Sequence, residues 1–204
     1  MTNFFIAKDN LLILASKSPR RKEILEQIKI PFEVIQSKAE ETFRKELGPE
    51  ENALQTAILK ADLVRQNYRH RWILAADTIV TLKGKIFGKP GNAEECLDML
   101  LYLQGEDHHV ITAFCIFDQD EKKTHLEAVT TLVKIKEMTK IEIYDYISTG
   151  EPFGKAGGYA IQGIGSFMVK YIKGSYTNVV GLPVHEVVNA LYDCSAIKSF
   201  PIID

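Results

Sequence analysis

The sequence has few cysteines and no long apolar run. Cys96, Cys115 and Cys194 are odd in number, widely spaced and set among apolar residues, which is typical of core thiols in a reducing compartment rather than of disulfides or a zinc knuckle. No apolar run approaches the roughly 20 residues that span a bilayer. The first residues, MTNFFIAKDN, lack the pattern of a secretion signal. We therefore expect a cytoplasmic protein without a membrane partner.

The sequence also lacks a large excess of charge of either sign, and it lacks several common catalytic motifs. The 25 basic and 27 acidic residues leave a net charge of −2, so no global field attracts nucleic acid or an anionic membrane. A phosphate ligand must then be met by a local cluster, which favours a small nucleotide over a polymer. The five histidines form no HExxH or HxH arrangement, which argues against zinc, and no G-x-S-x-G indicates a serine hydrolase.

The pattern of apolar segments predicts a mixed sheet flanked by helices. Strands and helices alternate early, whereas a long hairpin with the polar turn DQDEKK occupies the middle of the chain. The GSYTNVVGLP stretch is expected to be a loop. The predicted strands are 11–14, 32–36, 72–76, 79–82, 85–87, 109–117, 126–136 and 167–172, and the predicted helices are 19–28, about 50–67, 92–103, 140–148 and 183–192.

The stretch LLILASKSPRR, residues 11–21, joins a short apolar strand to a helix start suited to phosphate. Ser18 is a favourable N-cap, and Pro19 suits the first turn because its missing N–H is no loss there. Arg20 and Arg21 follow, where cations oppose the helix dipole unless an anion joins them. On these residues alone, phosphate binding and its alternatives, a solvated helix start or an exposed Ser-Pro-Arg motif, are about equally favoured.

Asp77 is a candidate for catalysis because it follows the apolar residues of the strand 72–76. Ligands of open α/β sheets bind at the carboxyl ends of strands, where a carboxylate can hold Mg²⁺ or accept a proton. A simple cap at the strand end is an equally good interpretation. Lys60 and Lys89 taken singly favour solvated side chains. Glu40 and Glu41 matter only if they join Asp77 around a cation.

The segment Gly150–Gly165 contains six glycines, which permit close approach of the backbone to a ligand. Their spacing matches neither a dinucleotide fingerprint nor a P-loop. Gln162 offers a donor and an acceptor on one amide, which can match N3–H and O4 of uracil or thymine. The alternative is a flexible lid without contact to a base.

Four motifs occur in an order that resembles the Maf (septum-formation) family of nucleotide pyrophosphatases: SKSPRR, AADT, GEPFGKAGGYAIQG and GSYTNVVGLP. The resemblance runs from Leu11 to about Leu191. It implies an elongated α/β fold with a mixed sheet flanked by helices and a deep central cleft, similar to the inosine triphosphate pyrophosphatases. It also implies one Maf-like domain over residues 1–204, with two lobes around one cleft.

The same resemblance implies hydrolysis of dTTP, UTP and modified pyrimidine nucleotides to the monophosphate and pyrophosphate. Asp77 is then the catalytic carboxylate, as proton acceptor or metal ligand, and Glu40 or Glu41 assists a divalent Mg²⁺ or Mn²⁺. Arg20, Thr78 and Gln162 occupy the positions associated with choice of a pyrimidine base. The implied substrate- and phosphate-binding residues are Ser16, Ser18, Arg20, Arg21, Lys60 and Lys89.

One position departs from the family pattern GEPxDKAG, because Gly154 stands where Asp is usual. A carboxylate that binds metal or orients Lys155 is therefore missing, and we expect lower turnover or a changed metal arrangement, with Glu151 as a replacement. A nucleotide-binding regulator of cell division with little turnover thus stays open. A nucleic-acid module using SPRR and the basic cluster 69–71 is a weaker alternative, since the chain is slightly acidic. A role in septum formation and a homodimer are further expectations.

Overall fold

The structure is a computed structural model of the chain that describes residues 5–118 and 123–202. Its strands are β1 (Leu12–Leu14), β2 (Phe32–Val34), β3 (Ile73–Leu82), β4 (Lys85–Phe87), β5 (Asp107–Phe117), β6 (Lys123–Ile135) and β7 (Val169–Lys173). Its helices are α1 (Pro19–Gln27), α2 (Pro49–Arg65), α3 (Ala93–Leu103), α4 (Lys140–Ser148), α5 (Tyr176–Val180) and α6 (Val184–Asp193). Two short 3-10 helices span Ala156–Gly158 and Gly163–Met168.

The strands form one mixed seven-stranded sheet in the order β2-β1-β3-β5-β6-β7, with β4 paired to β3. β1 is parallel to both β2 and β3, as the short strand–helix–strand connections require. The β3–β4 and β6–β7 pairs are antiparallel. The predicted mixed α/β sheet is therefore confirmed. No helix in the described part of the chain is both long and apolar enough to cross a membrane.

The described residues divide into two compact units. The first comprises the chain up to Asp77, Thr112–Val129 and the chain from Gly181 onward; the second comprises Thr78–Ile111 and Thr130–Val180. The boundary falls within β3, between Asp77 and Thr78.

The core of the first unit packs α2 against β1 and β3. Ala57 and Ala61, four residues apart on one face of α2, are fully buried in a cluster with Ile13 and Ile73. Because alanine side chains are small, the helix lies close to the sheet. Lys60, next to Ala61, is consequently buried as well.

The core of the second unit joins α3 and α4 to the Gly-rich segment. Leu100 and Leu103 of α3 share a cluster with Ile143 and Tyr146 of α4 and with Tyr159. Apolar residues at helical spacing thus bury one face of each helix and the middle of the Gly-rich segment.

Two predictions about elements are wrong. The strands predicted at 72–76 and 79–82 are one strand, β3, so Asp77 lies in its middle and not at its carboxyl end. β3 stays extended because it changes partners along its length, with β1 at Ile73 and Leu74 and with β4 from Val80. The predicted GSYTNVVGLP loop contains the short helix α5. The predicted turn DQDEKK lies largely outside the described residues.

Candidate functional site

The start of α1 is built around the hydroxyl of Ser16. This oxygen accepts hydrogen bonds from the backbone N–H of Ser18 at 3.1 Å and from the Arg21 guanidinium at 3.2 Å. Ser18 occupies the N-cap, as predicted, but its own side chain makes no capping hydrogen bond. The first turn contains no acidic residue, so the positive end of the helix dipole is not offset within the helix.

Arg21 is buried and held at two points. Its Nε donates to the carbonyl oxygen of Gly181 at 2.7 Å, in addition to the bond to Ser16. Burial lowers the pKa of Arg21, and the Asp77 carboxylate opposes that effect. Arg20 is only half-buried. The two arginines therefore differ in environment, with Arg21 fixed inside the first unit and Arg20 nearer its surface.

Lys60 joins two carboxylates in a buried ion-pair cluster. Its Nζ lies 2.6 Å from Asp77 Oδ1 and 2.8 Å from Glu41 Oε1. The side chains of Lys60 and Asp77 are 9% and 7% exposed, whereas that of Glu41 is 32% exposed. Lys60 and Asp77 are thus buried whereas Glu41 is open to solvent, and the shared ammonium compensates both carboxylates and keeps them close together.

Asp77 reaches this cluster from a position beyond the end of β1. The last residue of β1, Leu14, pairs with Leu74, and Asp77 follows three residues later on β3. Asp77 therefore lies beyond the carboxyl end of the neighbouring strand β1 and not, as predicted, at the carboxyl end of its own strand.

Of the two predicted loop carboxylates, Glu41 contacts Lys60 and Glu40 is exposed. The segment that follows them is fastened by Asn52, a buried residue of α2 that the sequence did not single out. Its side chain accepts from Arg44 N–H at 2.8 Å and donates to the carbonyl oxygens of Arg44 and Leu47, both at 3.0 Å. A polar residue on the apolar face of an amphipathic helix was the signal available in the sequence.

The donor set fits a hard divalent cation, though incompletely. Asp77 and Glu41 supply carboxylate oxygens, the ligands preferred by Mg²⁺, which commonly takes one or two carboxylates and completes its shell with phosphate oxygens and water. Within residues 5–118 and 123–202, no group of three or more His, Cys, Asp or Glu is arranged to hold a metal. A cation here would therefore need the substrate's oxygens.

Three predicted site residues belong to the second unit, on separate segments. Thr78 is half-buried in β3, and Lys89 is exposed after β4. Gln162 is half-buried and directly precedes the 3-10 helix at Gly163. The remaining predicted residues lie in the first unit.

Two contacts of the Gly-rich segment were not predicted: one is made by Glu151 and the other by His108 of β5. Glu151 binds backbone N–H groups of the segment rather than standing open as a replacement for the missing carboxylate. His108 is fully buried, and its Nε2 lies 2.6 Å from the hydroxyl of Tyr159. The alternation of faces along β5 could have predicted the burial of His108, because it shares a face with the buried Val110.

At Gly154, where the family pattern has Asp, the backbone φ is +78° and the surrounding space is open.

The mixed sheet flanked by helices defines an α/β protein whose first unit contains a cationic helix start and an ion-paired cluster of two carboxylates. The model of the Maf-like protein family matches residues 11–194, and the chain belongs to the Maf family. The family predicted from the four motifs is thereby confirmed.

Curated relatives cover most of the chain. A dTTP/UTP pyrophosphatase of Syntrophotalea carbinolica is 45% identical over 194 residues, which is 94% of this chain and 88% of the relative. A dTTP/UTP pyrophosphatase of Halalkalibacterium halodurans is 47% identical over 180 residues, 88% of this chain and 94% of the relative. A third dTTP/UTP pyrophosphatase, from Ruminiclostridium cellulolyticum, is 46% identical over 181 residues, which is 88% of this chain and 94% of the relative.

Proposed function

We propose that this protein is a nucleoside triphosphate pyrophosphatase that hydrolyses dTTP, UTP and modified pyrimidine nucleotides to the monophosphate and pyrophosphate. The observation that carries the proposal is the buried Asp77–Lys60–Glu41 cluster, whose carboxylates act electrostatically on Arg21 at the start of α1. The dTTP/UTP pyrophosphatases that resemble the chain over most of its length support it.

The triphosphate is held mainly by charge and by fixed donors. The first turn of α1 presents backbone N–H groups at its positive end, and Ser16, Ser18, Arg20 and Arg21 surround that turn. Since Arg21 is pinned by Gly181, it meets a phosphate with little loss of side-chain freedom. Lys60 and Lys89 complete the set that the family resemblance assigns to phosphate.

The reaction is attack of water on the α-phosphorus. A bond forms between the water oxygen and that phosphorus, the bond to the oxygen bridging the α and β phosphates breaks, and pyrophosphate leaves with the bond's electron pair. Asp77 accepts the proton of the water or acts as a metal ligand, and Lys60 orients its carboxylate in either role. Catalysis of such a phosphoryl transfer comes mainly from correctly positioned cations.

Asp77 and Glu41, with Glu40 as an exposed neighbour, would hold Mg²⁺ or Mn²⁺. When bound, the cation neutralises charge on the phosphate oxygens. Arg20, Thr78 and Gln162 select the base, because the neutral amide of Gln162 can pair with N3–H and O4 of a pyrimidine, whereas a carboxylate at that position suits a cationic methylated purine. The three free cysteines suit the reducing cytoplasm, which is the compartment proposed.

The proposed function is tested by measuring pyrophosphate release from dTTP, UTP, CTP, GTP and 7-methyl-GTP with Mg²⁺ or Mn²⁺. The expected result is rapid turnover of dTTP and UTP. A strong preference for 7-methyl-GTP contradicts the assignment to pyrimidines. Tight nucleotide binding without product under either metal contradicts the enzyme and favours a regulator of cell division, the function that Gly154 kept open.

A further inference from the structure

Glu151 closes the Gly-rich segment into a ring. One carboxylate oxygen accepts the backbone N–H of Ile164 at 2.9 Å, and the other accepts the N–H of Gly165 at 2.8 Å and the hydroxyl of Tyr146 at 3.1 Å. The backbone carbonyl of Glu151 also accepts a hydrogen bond from Lys155. One residue at the start of the segment therefore fixes both its early part and its end.

Two glycines make this closure possible. Gly163 has φ of +67°, and a Cβ there would collide with Glu151 Oε2. A Cβ at Gly165 would lie 2.6 Å from both the carbonyl oxygen of Ala160 and the hydroxyl of Tyr146. Side chains at these positions would displace the backbone that Glu151 binds.

The closure is electrostatically stable at neutral pH. Burial raises the pKa of Glu151, but the hydrogen bonds from Gly165, Ile164 and Tyr146 lower it by more, so the net direction is downward. The ionised carboxylate is thus the form that the segment binds. These three donors hold the carboxylate between the end of the segment and Tyr146 of α4.

We propose that Glu151 is the positioning residue for base selection, acting through Gln162. This inference rests on the proposed function, in which Gln162 contacts the pyrimidine. Gln162 lies two residues before Ile164, within the ring, and its backbone is extended. If the ring is opened, the backbone that follows Gln162 is no longer fixed by Glu151, and a shift of the Gln162 side chain by about 1 Å is enough to weaken directional recognition.

The test compares Glu151→Gln with wild type by the ratio of kcat/KM for UTP to kcat/KM for CTP. Glutamine has the same shape but places an N–H₂ donor against N–H donors of the segment, so this ratio should fall about tenfold, the effect of about one hydrogen bond. Tyr146→Phe, which removes one of the three donors, should lower it by less. Glu94→Gln, the same substitution at an exposed residue of α3 in the same unit, should leave the ratio unchanged.

A double-mutant cycle separates positioning from direct contact. In a Gln162→Ala background, Glu151→Gln should change the ratio by less than about twofold, because the residue through which it acts is gone. Independent effects of the two substitutions overturn the proposal. Faster hydrogen exchange at the Ile164 and Gly165 amides of Glu151→Gln, without nucleotide, is the expected readout besides activity; unchanged exchange also overturns it.

The outcomes also separate this proposal from the proposed function. If wild type releases no pyrophosphate from UTP or dTTP, the proposed function fails. If wild type hydrolyses UTP in preference to CTP and Glu151→Gln retains the full preference, only the role of Glu151 fails.

Discussion

At the scale of single residues, Asp77 is deeply buried and pairs with Lys60, which also contacts a second carboxylate, that of Glu41. Removing one member of a buried ion pair usually costs about 3–5 kcal/mol, because the other charge is left uncompensated. Here Lys60 keeps Glu41 at 2.8 Å, and an asparagine at position 77 still offers Lys60 a carbonyl oxygen. A substitution of Asp77 by asparagine can therefore test its catalytic role while the protein stays folded.

We expect Asp77→Asn to lower kcat for dTTP by about 100-fold or more while the protein stays folded, since it loses a proton acceptor or metal ligand. Pyrophosphate release and thermal unfolding are the measurements. Asp62→Asn is the matched control, because Asp62 is an ion-paired aspartate on the more exposed side of α2. Activity near the wild-type level in Asp77→Asn would show that this carboxylate is not catalytic.

At the scale of elements, α2 joins the core to the segment that carries Glu41. Asn52, in the first turns of the helix, is the link, because its buried amide binds the backbone of residues 44–48. The hydroxyl of Thr56, one turn later, donates to the carbonyl oxygen of Asn52. Asn52 thus fixes the chain a few residues after Glu41, and we expect it to steady Glu41 as well.

Asn52→Ala should destabilise the fold by about 1–3 kcal/mol, the usual cost of leaving buried backbone groups without partners. It should also raise KM for dTTP, since the segment with Glu41 is less well held. Urea unfolding and steady-state kinetics measure the two effects. Asn67→Ala, an exposed asparagine just after the same helix, should change neither. Equal effects of the two substitutions would contradict the role given to Asn52.

Local patterns predicted most elements, because capping residues and apolar periodicity act over a few residues. Helix 140–148 is confirmed, with a capping box between Thr139 and Glu142, and the helix predicted at 92–103 is found at Ala93–Leu103, with Asn92 as its N-cap. β3 was divided in the prediction because Asp77 and Thr78 are typical of turns, whereas the strand continues through both and pairs with β1, β4 and β5 along its length.

The candidate site was predicted less completely, for a related reason. The family resemblance pointed to Asp77, Lys60 and the arginines, but no local pattern indicates that Lys60 bridges Asp77 and Glu41. The roles of Glu151 and His108 depend on partners 13 and 51 residues away, respectively. A single sequence does not specify such contacts; they follow from the packing of the core.

At the scale of the whole molecule, the buried His108 links folding to pH. Burial is the main cause that lowers the pKa of His108 to about 4, against an ordinary value of 6.5. Of the charged groups near it, His109 lowers the pKa further and Asp107 raises it. The folded chain therefore keeps the imidazole neutral between pH 4 and 6.5, whereas the unfolded chain takes up a proton there.

Because the unfolded state binds more protons in that window, the free energy of unfolding should fall as pH is lowered from about 6.5 to about 4. The gap between the two pKa values corresponds to about 3 kcal/mol of the free energy of unfolding, and this contribution is fully present above pH 6.5. His108→Gln keeps a group that can hydrogen-bond to Tyr159 but does not titrate, so its stability should depend much less on pH within the window. His185→Gln, at an exposed histidine of α6, should keep the wild-type slope. Urea unfolding between pH 4.5 and 7.5 measures these slopes, and an unchanged slope in His108→Gln would mean that other groups cause the acid sensitivity.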